Sequence, residues 1–217
     1  MDLQSLLRLA WPVMLQGTGY TLLFALASMI LGLPLAGLIT LIRVLRVPVL
    51  QAVMALYVSA MRGTPLLVQV FIVYYGLPSI GIEFSPIAAG ILSLTLNVAA
   101  YMSETLRGSI SAVSQGQWLA GTSLGLTRRQ TLRHVIGPQA LRAAVPSLSN
   151  SLISLIKDTS LVSVIAVTEL MLATKELIST TFQPFPLYMA AAGVYWVLSM
   201  GFERIQRWME TRLAFPH

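Results

Sequence analysis

Charged residues are sparse in this chain, and they divide it into long apolar blocks. None stands between Leu9 and Ile42. Tyr20–Ile42 alone, at ~1.5 Å per residue, exceeds the ~30 Å of a bilayer's hydrocarbon, which predicts a first membrane span over 20–42. The next uncharged block, Val47–Met61, is short and carries Pro48, so it reads as a helix lying at the interface. Gly63-Thr64-Pro65 then predicts a helix start, with Thr64 as N-cap and Pro65 in the first helical position. A second span follows over 65–78, a polar turn at Ser79–Ser85, and a third span over 86–106. After the polar stretch Arg107–Arg142, residues 145–167 are interrupted by Lys157-Asp158 and form the fourth span; the fifth covers 185–202. The expected fold is all-α, a polytopic membrane protein of five transmembrane helices in one domain over 1–217.

Composition agrees. Apolar residues make up 56% and charged residues 10% of the 217 positions, and the mean hydropathy is +0.76. Soluble domains run near ~45–50% apolar and ~25% charged, so a bilayer is the solvent that fits. The net charge of +6 gains meaning from its placement. Arg43, Arg46, Arg62, Arg107, Arg128, Arg129, Arg133, Arg142, Arg204, Arg207 and Arg212 fall after spans one and three or in the C-terminal tail, while only Arg8 and Lys175 fall on the other side. Eleven basic residues against two predict the N-terminus outside and the C-terminus in the cytoplasm. The excess is topological and lends no support to nucleic-acid binding. The chain has no cysteine, and His134 and His217 lie far apart, so neither a thiolate nor a histidine metal site is expected. The first span is too long for a signal peptide's apolar region and lacks a basic leader and a small-residue cleavage site; it is expected to be retained.

The loop over 107–142 is the most informative segment. Ser114-Gln115-Gly116-Gln117 and Thr127-Arg128-Arg129-Gln130 both fit the capping-box pattern. Gly125 stands where a glycine would end the first helix, and Gly137-Pro138 is read as ending the second. In that second helix Leu132, Val135 and Ile136 form an apolar stripe, with Arg129 and Arg133 on another face. Two readings fit such a pair: insertion into a groove on a partner protein, or lying on the headgroups with its arginines against lipid phosphate.

Ionisable groups at membrane depth are costly and mark candidate function. Lys157-Asp158-Thr159-Ser160 interrupts the fourth span and offers a cation, an anion and two hydroxyls to a zwitterionic solute. The competing reading is a helix break, with Lys157 snorkelling to the interface and Asp158 capping the next helix. Glu104 and Arg107, at i, i+3, read as an intrahelical pair, and Asn97 as interhelical glue. Asn97 and Glu104 are retained with the tetrad as candidates for the solute pathway.

The loop also carries a resemblance. Gly125, nine residues, then Val135-Ile136-Gly137-Pro138 resembles the EAA loop of binding-protein-dependent ABC importer permeases. The stretches MRGTPLLVQVFIVYYGLP (61–78), NVAAYMSETLRGSI (97–110), QTLRHVIGPQALRAAVPSLSNSLISLIKDTSL (130–161) and Thr168-Glu169-Leu170 resemble the polar amino acid permeases, the histidine, glutamine and cystine type. The resemblance implies a bacterial cytoplasmic membrane importer: two permease subunits, a homodimer favoured over a heterodimer, two ATPase subunits and an extracytoplasmic solute-binding protein. It implies that ATP and Mg²⁺ bind the partner ATPase, that this chain has no cofactor or catalytic residue of its own, and that the loop couples to the ATPase through Trp118, Ala120, Gly121, Gly125, Arg129, Arg133 and Pro138. The blocks GQW, QTLR and SNSLISLIKDTSL resemble the cystine-type permeases most, which makes L-cystine the first candidate solute. The family's Glu-Ala-Ala stands here as Leu119-Ala120-Gly121, and Gly137 replaces the Leu before Pro138, so no role of that glutamate carries over. No phosphate-binding GxxxxGK[ST] loop occurs. An intramembrane enzyme would need a Ser–His pair, paired aspartates or a metal site at depth. An ion-driven transporter would often show two internal repeats; neither pattern is found.

Overall fold

A computed structural model describes residues 3–213. Helix α1 runs over Leu3–Val44. Its 42 residues make about 63 Å at ~1.5 Å per residue, roughly twice the hydrocarbon thickness. It begins well before the span expected at 20–42. Pro12 and Pro34 lie inside it, as membrane helices tolerate. Helix α2, Leu50–Gly63, starts three residues later than the apolar block suggested: Pro48 disfavours helical backbone at Val47, and Val49, the N-cap, takes a positive φ of 65°. Helix α3, Leu66–Phe71, continues through a π turn at Ile72–Gly76 and a 3₁₀ turn at Leu77–Ile80. Helix α4 is Pro86–Ala112, capped by Ser85, whose hydroxyl accepts from the Ala88 N–H at 3.3 Å.

The loop then forms α5, Gln115–Ser123, and α6, Arg128–Thr131. Here the expected end at Gly137-Pro138 is corrected. Helical backbone continues from α6 through a π turn at Leu132–Ile136 into α7, Gly137–Asp158. The wider turn, in which the Gly137 N–H reaches the Leu132 carbonyl, lets Pro138 enter the first turn of α7, where its missing N–H is no loss. A 3₁₀ segment, Thr159–Ile165, extends α7. Helix α8 spans Leu170–Thr181 and α9 Pro184–Leu213. No strand occurs among the described residues.

Helices α1, α4 and α9 are each long and apolar enough to cross a membrane, and the bent pair α2–α3 would make a fourth span if counted as one. Helix α7, 22 residues long, has the length of a crossing at about 33 Å but is more polar. Helix α4 is the innermost: Leu94, Ala99, Ala100 and Met102 are fully buried. Its approach to α1 depends on Gly32, where an added Cβ would stand 2.8 Å from Val98 Cγ1. Small residues at such contacts let membrane helices meet by dispersion, since lipid supplies no hydrophobic drive between them. Gly17 does the same for α8: an added Cβ would stand 2.9 Å from Leu170 Cα. Beside it Glu169, fully buried, caps α8 by accepting from the Leu172 N–H at 2.8 Å and from the Tyr195 hydroxyl of α9 at 2.8 Å. Thr21 of α1 accepts from the Leu170 N–H at 3.2 Å, so one buried polar cluster joins α1, α8 and α9.

The sharpest irregularity is the 109° bend between α2 and α3. Pro65 forces Thr64 out of helical backbone, and Thr64 is accordingly extended at φ −119°, ψ 148°. Thr64 therefore ends α2 rather than capping α3, whose N-cap is Pro65. The last carbonyls of α2 lose their helical partners. Thr64 Oγ1 donates to the Ala60 carbonyl at 2.8 Å, and Gln69 Nε2 donates to the Met61 carbonyl at 2.8 Å and the Thr64 carbonyl at 3.2 Å. Asn97 of α4 completes the knot, donating to Gln69 Oε1 at 3.0 Å and to the Met61 carbonyl at 3.3 Å.

Two stability predictions follow from these contacts. Gly17→Val should overpack the α1–α8 contact and cost ~1–3 kcal/mol, lowering the melting temperature in detergent. Gly19→Ala, with nothing within 4 Å of the new Cβ, should not. Gln69→Leu should strip a partner from the partly buried Met61 and Thr64 carbonyls at the bend and cost ~1–3 kcal/mol, measured by the same melting assay.

Candidate functional site

Folding around the α2–α3 bend opens a cavity of about 1050 Å³. The bend contributes Arg62, Thr64 and Pro65; α4 contributes Asn97, Tyr101, Glu104 and Thr105. Helix α7 supplies Ser147, Asn150, Ser151, Ser154 and Asp158, and α9 reaches it with Gln206. The α7 residues recur at intervals of three and four, so they form one helical face. That face is readable as a polar stripe in PSLSNSLISLIKD, yet 145–167 read as an apolar span broken only by Lys157-Asp158. The stripe is the feature that placing spans by charge alone overlooks.

The expected pathway residues separate here. Asp158, Asn97 and Glu104 line the cavity. Lys157 does not line it and is exposed. Thr159 and Ser160 also lie outside it, their hydroxyls turned back to donate to the Ile156 and Lys157 carbonyls at 2.7 Å each. They close the last turn of α7, because carbonyls at a helix end need partners. The two charges of the tetrad thus face different surroundings.

Glu104 is more than half of an intrahelical pair. It accepts from Arg107 Nη2 at 2.8 Å and Nε at 3.1 Å, pairs with Arg43 of α1, and has Arg62 of α2 at 3.8 Å. A single carboxylate thereby holds guanidinium groups from three helices. Arg62 is the loosest of the three. Its side chain is 44% exposed, and its Cζ stands 5.4 Å from the Tyr101 ring centroid. It faces the cavity with a charge that Glu104 only partly occupies. A cavity with Arg62 and Asp158 on its walls, amides and hydroxyls between them, can pair with both ends of a zwitterion.

The expected coupling residues fall in two places, the α5–α6 turn and a second cavity beside it. Gly125 is left-handed at φ +78°. Its N–H donates to the Thr122 carbonyl at 2.9 Å, and the Leu126 N–H to the Gly121 carbonyl at 3.1 Å, a Schellman C-cap. Thr127 and Gln130 form a complete capping box; Ser114, expected to do likewise, makes no side-chain cap bond. Gly121 presses on α6: a Cβ there would stand 2.5 Å from Thr131 Cγ2, which explains a glycine where the resembled loop has alanine. Gly137 has the same kind of reason, since a Cβ would stand 2.7 Å from the Leu132 carbonyl oxygen. Trp118 is half-buried with Arg128 Cζ 5.7 Å from its ring centroid. Ala120, Arg129 and Arg133 are exposed, and Leu119 and Leu124 are 66% and 80% exposed. Pro138, with Arg129 and Arg133, lines a second cavity away from α5.

The chain as a whole is similar to known proteins. The chain is 43% identical over 204 residues to the L-cystine transport system permease protein TcyB of Bacillus subtilis, an alignment covering 94% of this chain and 87% of that one. It is 39% identical to the arginine ABC transporter permease protein ArtQ of Haemophilus influenzae, covering 83% and 88% respectively. A solved amino acid ABC transporter with histidines superposes at a TM-score of 0.92 with 32% identity, covering 98% of this chain and 99% of that one. The MetNI methionine ABC transporter shares the fold at 0.65 and 18% identity. Residues 28–215 match the binding-protein-dependent transport system inner membrane component, and the chain belongs to that family.

Proposed function

We propose that this chain is the permease subunit of an ATP-driven importer for a polar amino acid, with L-cystine as the first candidate solute. The observation that carries it is the cavity, where Arg62, Asp158 and a stripe of amides and hydroxyls line one space at the helix break. In a medium of low dielectric an amino acid crosses only where its charges find partners, and L-cystine, with two ammonium and two carboxylate groups, brings one such pair to Arg62 and Asp158. Arg62 serves the carboxylate and Asp158 the ammonium group, while Asn97 and Glu104 hold the walls in place. The 43% identity with the L-cystine permease of Bacillus subtilis supports cystine over other polar amino acids.

The chain crosses the membrane five times in this reading, N-terminus outside and C-terminus in the cytoplasm, with α7 as the fourth crossing. It works as one of two permease subunits, a homodimer favoured, receiving solute from a binding protein in a bacterial cytoplasmic membrane. Exposed Leu119 of α5 and Leu124 at its C-cap dock on an ATPase subunit, which binds the ATP and Mg²⁺, and this chain contributes no catalytic residue.

Asp158→Asn should lower uptake by the assembled transporter about tenfold or more, the loss of one charge-assisted contact of ~1.5–3 kcal/mol. Membrane abundance should not change. Lys157→Ala should leave uptake within about twofold, as expected of a surface substitution. Equal effects of the two changes would refute the assignment. Gly125→Val, strained at φ +78°, should leave the protein inserted but abolish solute-stimulated ATP hydrolysis; full stimulation would remove the coupling role.

A further inference from the structure

A second cavity, about 470 Å³, lies between the end of α1, the end of α4 and the start of α7. Its walls are mostly apolar: Leu41 from α1 and Leu45 just beyond its end, Leu106 and Ile110 from α4, Leu132 from the π turn and Leu141 from α7. Leu41 and Leu141 are 46% and 56% exposed, so the groove has apolar lips. Arg129 and Arg133 also line it. No carboxylate lines the groove, and none pairs with either arginine among the described residues. A third guanidinium stands close by, where Arg128 Nη2 donates to the Val44 carbonyl at 3.4 Å.

Among the described residues the only hydroxyl in the wall, Thr40, is already committed, donating to the Ala36 carbonyl at 2.7 Å and the Ser103 carbonyl at 3.1 Å. A peptide lodged here would find little to satisfy its backbone groups. A small soluble anion would leave the apolar walls unfilled, and a lipid without net charge would leave the arginines without a counter-charge. An occupant with a long apolar tail and one anionic head matches every wall.

We propose that this groove holds one anionic phospholipid of the cytoplasmic leaflet, its acyl chain between α1, α4 and α7 and its phosphate on Arg129 and Arg133. The leaflet follows from the orientation proposed above. This separates the two arginines from the ATPase-docking face of α5, and places a lipid against α6, whose Thr131 packs on Gly121 of α5. Lipid composition would then bias the posture of the coupling helix.

The test is native mass spectrometry of the full-length chain with dioleoyl phosphatidylglycerol or dioleoyl phosphatidylcholine, and with inorganic phosphate as competitor. One phosphatidylglycerol should be retained per chain, without matching retention of phosphatidylcholine and without displacement by phosphate. Arg129→Gln with Arg133→Gln should weaken retention about thirtyfold, at about 1 kcal/mol per arginine. Gly37→Leu fills the groove from a position with nothing within 4 Å of the new Cβ, so it should abolish retention with the melting temperature preserved. Equal retention of both lipids, displacement by phosphate, indifference to Gly37→Leu, or release of the lipid when ATPase subunits are added would each overturn the proposal. Retention is read without transport, so a failure of the amino acid assignment would show separately.

Discussion

A helix broken in mid-course must find new partners for its last carbonyls, because each one left unpaired away from water costs ~1–3 kcal/mol. In this chain that constraint falls at Pro65, which ends α2 and turns the backbone by 109°. Gln69 from the following helix and Asn97 from α4 meet it together. Much of the architecture follows from that arrangement. The knot fixes α2 and α3 against α4, and the bend holds the two short helices away from α7. The space between becomes a cavity whose walls include an open helix end and the polar face of α7.

The charges obey the same logic. A guanidinium at the edge of the bilayer is tolerated when a carboxylate shares its low-dielectric surroundings. Glu104 serves Arg43 and Arg107 closely and Arg62 at longer range. That inequality leaves Arg62 able to exchange its distant partner for the carboxylate of a solute without stranding a charge. Asp158 has no guanidinium within ion-pair distance among the described residues, so it can accept the ammonium group. The buried cluster of Glu169, Tyr195 and Thr21 lies outside this cavity and fastens α8 to its neighbours.

Much of this was legible in the residues. Charge spacing located the long apolar helices, and the glycine turn at Gly125 and the capping box at Thr127 both form as their chemistry demands. Three features escaped for physical reasons. Gly137-Pro138 has the composition of a helix stop, and only the π turn before it lets helical backbone run on into α7. Gln69 is uncharged and sits inside an apolar block, so nothing distinguished it until the bend showed which carbonyls needed it. Neighbouring helical side chains point about 100° apart, so Lys157 and Asp158 could not pair, but adjacency alone did not tell which of the two faces the cavity; Asp158 does. Ser147, Asn150, Ser151 and Ser154 share the face of Asp158, and their period of three to four was the signal available.

The central claim is that this face of α7 lines the route of the solute. The chain contains no cysteine, so a single introduced thiol is the one this chain presents, and the transporter without it serves as the blank for its partner subunits. Ser151→Cys, assembled with its partner subunits, should react with a small membrane-impermeant thiol reagent, and the transported amino acid should protect it, while a thiol at Lys157 should gain no such protection. A Ser151→Cys thiol that stays unreactive in the active transporter, or reacts at the same rate with and without solute, would contradict the account.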